Sequence, residues 1–203
     1  AYRRRFSAED QSALRNAFAK GHQAGQDFRQ VLCASLTALL INPRFLFRAE
    51  HDEPGKDEWP LNDFELATRL SYFLWSSMPD HELFQLADEG KLRNSEVLRA
   101  QTLRMIADPK FTNFARHFAG RWLEFEKMID QADPDPKRFP TFTPELRRSM
   151  YYESVAFFSH LIRQNRPLTE LIDSDYTFAN ATLAKHYGLS ETVTGSKLRK
   201  VSF

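Results

Sequence analysis

Cysteine occurs once in the 203 residues and glycine only seven times. A single thiol, Cys33, excludes an internal disulfide, a Cys-only metal site and covalent attachment of a c-type haem within this segment. So few glycines leave little material for tight turns, which argues against a strand-and-turn sandwich. No apolar run approaches about 18 uncharged residues, so no membrane insertion is expected. Neither sign of charge dominates: 28 Lys plus Arg face 27 Asp plus Glu, so no whole-chain field points to nucleic acid or to an anionic membrane surface. Also missing are internal repeats, a P-loop, a dinucleotide fingerprint, HExxH, CxxCH, GxSxG and a Glu-x-x-His di-iron pair. No metal or cofactor site is therefore expected inside this segment.

What the chain has in abundance is phenylalanine, 18 residues, and apolar spacing at the helical period. The fold class expected is all-α, with about nine or ten helices. Ser7 caps a first helix to about Gly21. A second runs from about Gln26 to Ile41, with Phe28, Val31, Leu32, Ser35, Leu36, Leu39 and Leu40 on one arc; Cys33 lies beside it and is expected to be a buried structural thiol. Asn42-Pro43 opens a short third helix. Asn62 caps the next, whose apolar arc of roughly 200° predicts a central helix ending at Trp75. In "LSYFLWSSMPDHE", Pro79 stops that helix and Ser77 caps its successor, which Gly90 closes.

Asn94 caps a helix to Ala107, and Asp108-Pro109 launches a long one to about Met128. On it Phe111, Phe114, Ala115, Phe118, Trp122 and Phe125 form a stripe expected to lie in the core. The proline-broken "DQADPDPKRFPTF" is a long loop. Thr143-Pro144 starts a further long helix ending near Asn165, Pro167 starts a short helical turn, and "DSDYTF" is irregular or briefly extended. Asn180 caps a last helix closed by Gly188. "HDEPGKDEWP" is the best linker, so the expected domains are a small helical unit over 1–52, packed on or linked to a helical bundle over 60–189. A polar tail over 190–203 then leads into a following domain. The opening "AYRRRFSAED" and closing "KLRKVSF" are expected to be cuts through a longer protein. Arg3, Arg4, Arg5 and the Lys197, Arg199, Lys200 cluster read as solvated ends.

Chemistry has few candidates. His117 with Glu124, and Glu153 with His160, are each seven residues apart, sharing a helix face but separated by about 10.5 Å of rise. That is too far for a direct hydrogen bond. Asp175, Tyr176 and His186 fall in the densest polar and aromatic segment, "SDYTFANATLAKHYG". The candidate catalytic residues are therefore Asp175, Tyr176, His186, Glu153 and His160, each of which also has an ordinary reading as a cap, a surface group or a buried hydrogen-bond partner.

The ordered blocks "FRQVLCASLTALLINPRFLFRAE", "LATRLSYFLWSSMPDHELFQLADEGKL", "FARHFAGRWL", "ELRRSMYYESVAFF" and "LIDSDYTFANATLAKHYGL" resemble the uncharacterised helical domains of large exported bacterial proteins labelled planctomycete cytochrome-c-associated. The resemblance covers two consecutive domains and the start of a third. It implies a periplasmic or extracellular setting, and neighbouring domains of the same polypeptide, a haem domain or an envelope protein as partners. Any haem c is implied elsewhere in the parent, since this segment lacks the haem motif. No catalytic residue carries over. Two readings follow. One is a non-catalytic structural and docking module of a protein engaged in c-type cytochrome electron transfer or extracellular polymer breakdown. The other is a segment of an oxidoreductase or hydrolase whose active site is completed by further domains.

Overall fold

Most helices begin at a residue whose side chain replaces a missing backbone partner. The computed structural model describes residues 2–48, 50–51, 53–131, 134–189 and 193–203. They are mostly helical, with one small two-stranded sheet. The chain divides into two compact units: Ala1–Tyr72 with Ser77–Gln101, and Phe73–Ser76 with Thr102–Phe203. The expected domain edges at 52 and 190 fall outside the described residues, as does part of the proline-rich loop at 132 and 133.

In the first unit, α1 (Ala8–Gln23) and α2 (Phe28–Leu40) each open on a capping box, Ser7 with Asp10 and Asp27 with Gln30. The two pack closely at Gly21, where a Cβ would stand 2.9 Å from a Val31 methyl. Asp10 is buried and also pairs with Arg4 at 2.8 Å and Arg44 at 3.0 Å. Arg3 donates to the carbonyls of Arg44, Phe45 and Phe47. Arg3, and Arg4 through Asp10, thus hold α3 (Pro43–Leu46) in place rather than forming the solvated end expected, while Arg5 is exposed and pairs with Asp88. The apolar arc of α2 is a second correction: only Val31 is buried, Phe28, Leu32, Leu36 and Leu40 are exposed, and so is Cys33. Period identifies an apolar face but does not supply a partner for it.

The helices α4 (Asp63–Trp75), α5 (His81–Asp88) and α6 (Ser95–Ala107) follow. Asp63 is buried and takes both the main-chain N–H and the guanidinium of Arg93, the latter at 2.8 Å. Ala67, Ser71, Leu83 and Leu92 are fully buried. Asp80 caps α5, accepting from Leu83 N at 3.0 Å, where Ser77 was the expected cap.

In the second unit Trp75 is fully buried, its indole donating to the Met105 carbonyl at 3.0 Å while its own carbonyl accepts from Asn113 at 2.9 Å. Asp108-Pro109 starts a composite helix over 109–122, as expected. Its middle, Ala115–Ala119, is a π-helical turn, and the helix ends at Trp122 rather than near Met128. The wider turn changes which residues align. Residues four apart drift by about 40° in an α-helix, but they nearly superpose in a π turn. Phe111, Ala115 and Ala119 therefore share the buried line. Phe114, Phe118 and Trp122 form a second line, with centroid spacings of 4.9 and 6.0 Å. Phe118 is 46% and Trp122 55% exposed, which corrects the expectation that both lie in the core.

The long helix Pro144–Arg163, capped by Thr143, packs Val155 and Phe158 against Ala115, Ala119 and Phe125. The strands β1 (Tyr176–Ala179) and β2 (Arg199–Ser202) pair antiparallel, Phe178 opposite Lys200 and Tyr176 opposite Ser202. Residues 199–202 are thus a strand rather than part of an irregular tail. The last helix, Ala181–Tyr187, is capped by Asn180 and closed by left-handed Gly188, both as read from the sequence. Its Leu183 joins Leu146 and Ala179 in a second buried cluster.

Candidate functional site

Alternation along β1 puts Tyr176 and Phe178 on one face, and that face meets Phe157 and His160 of the long helix. The Phe157 ring stacks on Tyr176 at 5.3 Å. The His160 ring lies 5.5 Å from Tyr176 and 5.2 Å from Phe178. From the opposite strand Lys200 reaches diagonally, its Nζ 3.6 Å above the Tyr176 ring centroid. The Tyr176 hydroxyl donates to Glu170 at 2.5 Å, and Glu170 pairs with Arg166 at 2.6 Å.

These neighbours tune one another. Burial first, then the Glu170 hydrogen bond, pushes the Tyr176 phenol up. The Arg166 hydrogen bond, followed by that of Tyr176, holds Glu170 below the usual carboxylate range. Burial, then the charges of Lys200 and Arg166, lowers His160 against the opposing pull of Glu170. The shift favours the neutral imidazole, which is held against two rings.

Two turns before His160, Glu153 commits both oxygens. Oε1 accepts the Thr177 hydroxyl, and Oε2 accepts the Tyr187 hydroxyl at 2.6 Å. Burial and that bond push the Tyr187 phenol well above its ordinary value. Asp175 and His186 are exposed; the Asp175 carbonyl accepts from Phe203 N at 2.9 Å, and the His186 ring lies 5.4 Å from Tyr187. Of the five candidates, the fold brings His160 and Tyr176 together and ties Glu153 to other partners. Asp175 and His186 stay apart from them at the surface. The other spaced pair is also divided, His117 being exposed and Glu124 pairing with Lys127 at 2.8 Å. Among the described residues no group of three or more His, Cys, Asp or Glu converges as metal ligands would.

A feature that the sequence reading missed is a groove of about 1050 Å³ along the long helix. Ser149, Ala156 and Ser159 line its helical side, with Tyr152, His160 and Arg163 beside them. Phe178, Asn180, Lys197 and Leu198 border it from the hairpin side. Asn180 fixes that border by donating to Ser149 Oγ at 3.0 Å. Lys197, expected in a solvated tail, is therefore part of a concave wall. The spacing Ser149, Tyr152, Ala156, Ser159, Arg163 was the available signal, a polar line on a helix otherwise judged by its apolar arc.

The family model described as PSD4, protein of unknown function (DUF1592), matches residues 61–189. No curated protein and no solved structure matches the chain.

Proposed function

We propose, for a chain that belongs to the DUF1592 family of proteins of unknown function, the role of a non-catalytic helical module that docks neighbouring domains. The observation that carries the reading is the dispersal of the ionisable candidates. Glu153 is saturated by two hydroxyls, Tyr176 is bound to Glu170, and Asp175 and His186 stand apart at the surface. Catalytic groups need a shared reacting position within hydrogen-bond reach. Here Glu153, His160 and Tyr176 tie the long helix to β1 and the last helix. Docking has a candidate surface in the exposed aromatic row Phe73, Phe118 and Trp122, since contiguous exposed rings mark interaction sites.

The finer reading follows the resemblance of the five ordered blocks. The module works within a larger exported protein of the periplasm or cell exterior. There it holds domains for c-type cytochrome electron transfer or polymer breakdown, any haem c residing outside this segment. No helix is long and apolar enough to cross a membrane among the described residues.

The test is made in the intact parent protein. Phe118→Ser with Trp122→Ser is expected to loosen domain association, seen as faster limited proteolysis between domains, while Glu153→Gln and His160→Gln leave turnover unchanged. Folded Glu153 or His160 variants with abolished turnover would overturn the module in favour of an enzyme segment.

A further inference from the structure

The groove along the long helix is electrostatically unbalanced. Three cations border it, Arg148, Arg163 and Lys197, against one carboxylate, Glu145. That carboxylate already accepts the Thr182 hydroxyl at 2.8 Å. Arg163 directs its donors at the main-chain carbonyls of Ile106 (3.1 Å) and Asp108 (2.9 Å), neutral groups that leave its charge uncancelled. Neither Arg148 nor Lys197 has an acidic partner among the described residues. Some arginines outside the groove do have acidic partners, Arg93 with Asp63 and Arg166 with Glu170 among them. Uncompensated cations around a concavity focus potential into it and raise the local concentration of anions.

The groove also has the shape of a ligand site. Small side chains at Ser149, Ala156 and Ser159 keep its floor low, while the 40% exposed Tyr152 ring stands beside them. Its volume is at the upper end of the range for small-molecule pockets, which combine an apolar body with a few placed polar groups.

We propose that this groove binds a small organic anion. A carboxylate or phosphate group sits between Arg148 and Lys197, and the body of the ligand lies along Tyr152 and Leu198 over the Ser149, Ala156, Ser159 floor. The site is independent of the docking role, which concerns the aromatic row on the composite helix, so failure of one leaves the other standing. His160 at the groove wall reports on occupancy. An anion seated there raises its pKa, against Lys200 and Arg166 and in the same sense as Glu170.

The experiment is an NMR titration of the whole isotope-labelled chain with phenyl phosphate, benzoate, inorganic phosphate and neutral phenol, each to about 10 mM. Saturable shifts of the His160 imidazole and the Ser159 amide are expected with phenyl phosphate or benzoate, and which of the two binds tighter identifies the anionic group. Arg148→Gln with Lys197→Gln is expected to weaken binding at least about tenfold with an unchanged melting temperature; Arg199→Gln, outside the groove lining, leaves binding intact. Three results would each overturn the proposal. They are no saturation by either organic anion, binding of phenol or inorganic phosphate as tight as that of phenyl phosphate, and undiminished binding by the double variant.

Discussion

The Tyr187 hydroxyl donates to Glu153 across 2.6 Å, joining the end of the last helix to the middle of the long one. Because Glu153 also takes the Thr177 hydroxyl, a single carboxylate holds together a helix, a strand and a second helix. Tyr187→Phe removes one of these ties and leaves the ring. With Tyr187 partly exposed, the loss is expected to be about 1 kcal/mol, measured by urea denaturation. The phenol is raised when folded, so its contribution is complete below its unfolded pKa near 10 and is lost as pH rises towards the folded value. The variant is therefore expected to show a shallower alkaline fall in stability than the parent sequence.

The π-helical turn makes a prediction about two phenylalanines on one helix. Phe111 is fully buried and Phe118 is 46% exposed. Phe111→Ala is expected to cost about 3–5 kcal/mol through cavity formation, and Phe118→Ala about 1 kcal/mol through lost ring contacts. Parallel thermal melts measure both. Equal costs would contradict the register that the turn imposes.

His160 predicts an acid-side dependence. Its pKa is lowered from the ordinary 6.5 by burial and by Lys200 and Arg166, against Glu170. The unfolded chain therefore binds the proton more readily. Stability from this group is fully present above about pH 6.5 and is lost as pH falls through the window down to the folded value. His160→Leu is expected to flatten that part of the stability profile, read from denaturant midpoints between about pH 5 and 7.

In the first unit, Asp10 is the group to change. Burial pushes its carboxyl up, but the Ser7 main-chain and hydroxyl hydrogen bonds and Arg4 outweigh that and hold it low. Its stabilisation is present above the unfolded value of 3.8 and disappears as pH falls through the lower folded one. Asp10→Asn is expected to cost about 1–2 kcal/mol, from a weakened cap and two lost ion pairs. Faster amide exchange near the start of α1 is the corresponding local readout.

Local signals were the most legible in the sequence. The caps at Ser7, Asn42, Asn94, Asp108, Thr143 and Asn180, and the helix stop at Gly188, are properties of one or two residues and their immediate backbone. The cap expected at Ser77 was misplaced by three residues, since Asp80 is the residue that caps α5. The candidate site was legible only in part. Period showed that Glu153 and His160 share a helix face, but the partners that define them arrive from elsewhere: Thr177, Tyr176 and Phe178 from β1, whose pairing strand was read as a tail, and Tyr187 from the last helix.

By itself the sequence determined an all-α chain with its helix starts and apolar lines, because capping and periodicity act over a few residues and need no distant partner. Only the tertiary structure decided which apolar lines are covered. A π turn moved Phe118 and Trp122 out of the core, α2 kept most of its apolar arc exposed, and residues 196–198, just before the second strand, came to border a basic groove. Burial depends on what arrives from elsewhere in the chain, and that is written in no single stretch of it.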